Sequence, residues 1–143
     1  MHRPLDRGAP SPSCQGAKPA RRSATWPTEC SMAKSIPPTI EQMRRHIEEL
    51  VHCYNIVCWT HARRPADAWA IHLAEEINIA SIRSQFSYAV ALHEIGHIKG
   101  RYQRSRSSPV RERWAWEWAR MNALVWTAAM ERYCQRALVA TGL

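Results

Sequence analysis

From residue 38 onward the chain shows clear hydrophobic periods. Ile40, Met43, Ile47, Leu50, Val51 and Tyr54 recur at helical spacing, and Thr39 followed by Gln42 supplies a capping box where that helix starts. Ile56-Val57-Cys58-Trp59-Thr60 has the composition and length of a strand. Residues 65 to 75 are ambiguous, since Pro65 suits a first helical turn while Trp69-Ala70-Ile71-His72-Leu73 also reads as a strand. Residues 77 to 82 again have strand character. They lead to Tyr88-Ala89-Val90-Ala91-Leu92 and Ile95, the apolar background of a buried helix that Ser84 or Ser87 can cap.

After a polar loop, Pro109 precedes a long segment containing Trp114, Trp116 and Trp118. Their alternation looks like a strand, but Ala115, Ala119, Met121, Ala123 and Leu124 favour a helix that is apolar around much of its surface. Most such aromatics pack in a core or lid. Thr127 can cap a last helix through Met130, Tyr133, Cys134, Leu138 and Val139. The predicted class is α+β, mostly helical, with a small sheet packed beside the helix around residue 93.

Composition separates the first part of the chain from the rest. Residues 1 to 37 are rich in proline and poor in apolar side chains, so they are expected to form a disordered basic tail, with one domain over residues 38 to 143. Met32 stands just before the first expected element, which makes an over-extended start upstream of it a further expectation. The net charge of +8 divides into +4 over Met1 to Ser35 and +4 over the remainder. Arg101, Arg104, Arg106, Arg111 and Arg113 cluster in the loop and helix start after residue 100, which reads as a solvated basic loop. No helix-turn-helix or other nucleic-acid signature accompanies them, so a nucleic-acid partner is not expected. No apolar run approaches the ~18 residues of a membrane span, and a cytoplasmic location is expected.

Cys14, Cys30, Cys53, Cys58 and Cys134 form no paired framework, and an odd count favours free thiols. Cys53, Cys58 and His61 lack a standard zinc spacing, and the two cysteines read instead as buried structural thiols.

One motif specifies chemistry. Ala91-Leu92-His93-Glu94-Ile95-Gly96-His97 contains H-E-x-x-H. On a helix this spacing puts His93 and His97 one turn apart on one face, able to reach one metal ion, with Glu94 beside it. A catalytic zinc takes three protein ligands and keeps a fourth position open, and Glu94 would then move a proton from the attacking water to the leaving amine. Gly96 suggests close approach by another element. Gly100 is placed to end the helix with a left-handed cap.

The third ligand must come from elsewhere. Gln103 stands where a metzincin would require histidine and is a poor zinc ligand, which leaves Glu112 and Glu117. The order of a strand, Tyr88 to Leu92, the His-Glu helix, a polar loop and Glu112-x-x-Ala115-x-x-Trp118-Ala119 resembles the ImmA/IrrE family of small zinc metallopeptidases. Trp116 stands where that family often has Asn. The resemblance covers about residues 76 to 120 and implies a zincin-like domain with Zn2+, with His93, His97 and Glu112 as ligands and Glu94 as general base. Glu117, twenty residues after His97, instead fits thermolysin-like spacing. The implied activity is hydrolysis of a protein or peptide, such as a phage or mobile-element repressor. The alternative is a non-catalytic, zinc-stabilised regulator that binds a protein or nucleic-acid partner through its basic loop. Tyr102, Tyr88, His72 and the nearby arginines are the candidates for stabilising an oxyanion, and His72 also reads as a structural histidine.

Overall fold

The computed structural model describes residues 36 to 143. The proposed tail, its alternative start at Met32, and Cys14 and Cys30 lie outside the described residues, apart from Ile36 and Pro37.

Helix α1 (Ile40–Cys53) begins at Thr39, where the capping box forms as the Thr-x-x-Gln spacing requires: Gln42 donates its amide N–H to Thr39 Oγ1 and its side chain accepts from the Thr39 N–H. Met43 and Ile47 turn inward. Strand β1 (Val57–Ala62) follows, starting and ending slightly later than composition suggests. The ambiguous stretch resolves into two short 3-10 turns, Pro65–Asp67 and His72–Ala74, around a three-residue strand β2 (Trp69–Ile71). Strand β3 (Glu76–Ala80) is central: β1 runs parallel to it on one side and β2 antiparallel on the other. Asn78 pairs with Trp59 across one ladder and with Trp69 across the other.

Helix α2 (Gln85–Lys99) is capped by Ser84, whose side chain accepts from the Ser87 N–H, while the Ser87 hydroxyl accepts from the Ser84 N–H. Both serines that could cap the helix therefore take part. The helix is buried almost all round, from Ser87 through Gly96, because the sheet residues Ile77 and Ile79, α1 and the later helices share its core. Helix α3 (Ser108–Asn122) is capped by Ser107. Helix α4 (Ala128–Ala140) is capped by Thr127. The fold is α+β and mostly helical, with a small three-stranded sheet.

Two glycines can be compared with their expected roles. A Cβ on Gly96 would collide with the Ala115 carbonyl oxygen and stand 2.9 Å from Ala115 Cα, so close approach by α3 is what the missing side chain permits. Gly100 differs from expectation. Its φ of −69° and ψ of 163° are extended, and the left-handed residue after the helix is Tyr102, at φ 56°. The Gly100 N–H still closes the helix by donating to Gly96 O at 2.7 Å, so no left-handed cap is needed.

The three tryptophans of α3 do not share a face. At about 100° per residue, Trp116 points away from Trp114 and Trp118. Trp116 is buried with Ala115 and Ala119, whereas Trp118 packs against Tyr54 and Trp114 against Tyr102. The expectation of buried structural thiols fails for Cys53, which is exposed because it lies in the last turn of α1; Cys58 is half-buried and Cys134 is fully buried.

Candidate metal centre

Helices α2 and α3 cross where Gly96 meets Ala115, and this contact brings the polar residues of the two helices together. His93 and His97 lie one turn apart on α2. Glu112 lies on α3 on the same helical stripe as the buried Ala115, Trp116 and Ala119, at spacings of three, four and seven, and so faces α2.

The three side chains converge. His93 Nε2 is 3.1 Å from Glu112 Oε2, His97 Nε2 is 3.2 Å from Glu112 Oε1, and the two Nε2 atoms are 3.0 Å apart. Two imidazole nitrogens this close would set lone pair against lone pair, an arrangement that a shared proton or a shared cation relieves. Among the described residues this is the one group of three or more His, Cys, Asp or Glu side chains placed to hold a metal ion. Glu117 is not part of it; its carboxylate pairs with Arg120 on another side of α3. Cys53, Cys58 and His61 form no such group.

The second nitrogen of each imidazole meets a different environment. His97 Nδ1 is 2.9 Å from Gln103 Oε1. His93 Nδ1 is buried with no hydrogen-bond partner, and its ring is stacked on Trp116, with centroids 4.1 Å apart and planes inclined by 24°. Sequence reasoning missed both supporting roles. The signal for Trp116 was its place one turn from Glu112; for Gln103 it was an amide at a fixed distance from the motif, considered there only as a ligand.

Burial lowers the pKa of His93, and the hydrogen bond to Glu112 only partly offsets it. Burial also opposes protonation of His97, but the bonds to Glu112 and Gln103 outweigh it and raise that pKa. Glu112 is pushed up by burial yet held well below the usual carboxylate range by the two histidines. Glu94 is 7% exposed and has no hydrogen bond or ion pair among the described residues. Burial raises its pKa from 4.5 to about 7, with the His97 charge opposing and the Glu112 charge adding.

All four residues line one polar cavity of about 560 Å3, completed by Ala68, Trp69, Ala70, His72, Gln103 and Arg111. The strand β2 thus forms a wall of the cavity while pairing with β3 on only one of its edges. His72 sits in that wall with Nδ1 2.9 Å from the His97 carbonyl oxygen. Among the oxyanion candidates, His72 and Arg111 reach the cavity. Tyr88 does not: it is fully buried, and its hydroxyl accepts from Leu124 N–H and meets His46 Nδ1. Tyr102 lies outside against Trp114. A second, more apolar cavity of about 500 Å3 lies between α1, β1 and β3, and among the described residues no group that could hold a metal ion converges there.

The described residues include no helix long and apolar enough to cross a membrane. No family model, curated protein or solved structure matches the chain.

Proposed function

We propose that the chain is a zinc-dependent metallopeptidase. The observation that carries this reading is the convergence of His93, His97 and Glu112 on one point of a cavity that also holds the otherwise unpartnered Glu94. Two imidazoles and a carboxylate form a known catalytic zinc set, whose donors stand ~3.4 Å apart at bond lengths of about 2.1 Å. The separations of 3.0, 3.1 and 3.2 Å are close to that spacing. A zinc ion held there supplies Lewis acidity toward water and a peptide carbonyl.

The chain's own residues account for the rest. His93, His97 and Glu112 hold the ion. Glu94, which lines the same cavity beside the two histidines, can take a proton from an attacking water and return it to the leaving amine. The strand β2, unpaired along one edge beside the cavity, suits an extended peptide that adds to the sheet. The resemblance to ImmA/IrrE peptidases makes a regulatory protein such as a repressor the first substrate to test.

Zinc content of untagged protein, together with cleavage of a mixture of unstructured peptides by wild type and Glu94→Gln, tests this reading. About one zinc per chain is expected in both proteins, with cleavage reduced by about 10²- to 10⁴-fold in the variant. Zinc without any cleavage, and no change on Glu94→Gln, would favour the non-catalytic regulator. No zinc even after reconstitution would overturn both zinc readings.

A further inference from the structure

We infer that Gln103 is a positioning residue: it fixes the His97 ring with Nδ1 as the N–H, leaving Nε2 as the free donor, and it ties that ring to the helix that carries Glu112. The chemistry of its neighbours settles the orientation of its amide. Gln103 Nε2 is 2.9 Å from the Arg111 carbonyl oxygen and 3.2 Å from the Arg101 carbonyl oxygen. Carbonyls only accept, so the NH2 group must face them. Oε1 is thereby left facing His97 Nδ1 at 2.9 Å, and that nitrogen must carry a hydrogen. The lone pair of the neutral ring then lies on Nε2, the atom beside His93 and Glu112.

Gln103 reaches both helices through one side chain. His97 belongs to α2, and the Arg111 carbonyl belongs to the residue before Glu112 on α3. Gln103 is only 6% exposed, so water does not readily replace these bonds. His93 has no equivalent partner, since its Nδ1 is orphaned. The orientation of a ligand by hydrogen bonding therefore rests on one residue, in a turn made possible by the left-handed Tyr102. Loss of such a partner typically costs 10- to 100-fold in metal affinity.

The effect on affinity rests on the zinc site proposed above, but the ring N–H does not need the metal. The test uses the full chain with and without zinc. In wild type, nitrogen-detected NMR is expected to show a His97 Nδ1–H proton that exchanges slowly with water and contacts the Gln103 side chain. In Gln103→Leu that proton should exchange rapidly, and zinc affinity, measured by chelator competition, should fall roughly 10- to 100-fold. Gln103→Glu keeps an acceptor but loses both donors, so it should retain the protected proton and more zinc affinity than Gln103→Leu, even if its melting temperature falls. A wild type without a protected Nδ1–H, or a folded Gln103→Leu that keeps it, would overturn the inference. So would a Gln103→Glu protein that loses the proton as completely as Gln103→Leu. A wild type that shows the proton yet binds no zinc would sink the metallopeptidase reading and leave the ring assignment standing.

Discussion

Trp116 lies nearly flat against the His93 imidazole, at a centroid distance of 4.1 Å. Because His93 Nδ1 has no hydrogen-bond partner, stacking supports this ring on the side away from Glu112 and His97, which Nε2 faces. Trp116→Phe keeps an aromatic face there, whereas Trp116→Ala removes it and opens a cavity, at a cost of about 3–5 kcal/mol. Urea denaturation should show that loss, and chelator competition should find weaker zinc binding in the Ala variant than in the Phe variant. Equal zinc affinity in the two folded variants would mean that stacking does not orient His93.

Gly96 is the contact that lets α2 and α3 approach. In Gly96→Ala the added methyl meets the Ala115 backbone, which cannot move aside as a flexible side chain would. Such overpacking costs about 1–3 kcal/mol, and separating the helices also draws His97 away from Glu112. A lower melting temperature together with reduced metal content is expected. Unchanged values for both would show that the helices have room to spare.

Tyr88 ties three parts of the chain together, accepting from Leu124 N–H at 2.9 Å and standing 2.7 Å from His46 Nδ1. Burial pushes its hydroxyl pKa up to about 12, with the Leu124 bond partly opposing, so it stays protonated beside His46. Tyr88→Phe strands both partners and is expected to cost about 1–3 kcal/mol in chemical denaturation. Zinc content should not change, since this hydroxyl does not face the metal cavity. Loss of zinc in a folded Tyr88→Phe protein would contradict that placement.

Glu131 joins α4 to α3. Hydrogen bonds from Arg120, Gln135 and the Trp126 indole lower its pKa to about 2. A depressed carboxyl pKa stabilises the fold above its unfolded value, near 4.5, and that contribution is lost as pH falls through about 2. The side chain is 36% exposed, so solvent screening limits the effect to about 1 kcal/mol or less. Comparing the acid unfolding of wild type and Glu131→Gln should show a shallower loss of stability between about pH 4.5 and pH 2 in the variant. Identical profiles would assign the acid sensitivity to other groups.

Local chemistry made much of the fold legible. The caps at Thr39, Ser84 and Thr127 all form, because a short polar side chain before an apolar helical run has unpaired N–H groups within reach. The stripe of Glu112, Ala115, Trp116 and Ala119 was also present in the sequence and distinguishes Glu112 from Glu117 by direction, whereas counting residues from His97 left both open. Residues 65 to 75 could not be resolved locally, since the three residues of β2 become a strand only by pairing with β3. Gly100 misled because a helix can end through an extended residue when the following turn supplies the left-handed one. Nor did spacing disclose the role of Gln103, which depends on the two backbone carbonyls that the loop brings beside its amide.

His93, His97 and Glu112, the group that could hold a metal ion, fall with Gln103 and Trp116 between Gln85 and Asn122, in one continuous helix, loop and helix. The facing wall of the cavity, from Ala68 to His72, is encoded by a separate stretch. Substitutions at Ala68, Trp69 and Ala70 can therefore reshape the cavity without replacing any of the three candidate ligands. The same division makes the strand wall the place where the cavity's shape can vary while His93, His97 and Glu112 stay in position.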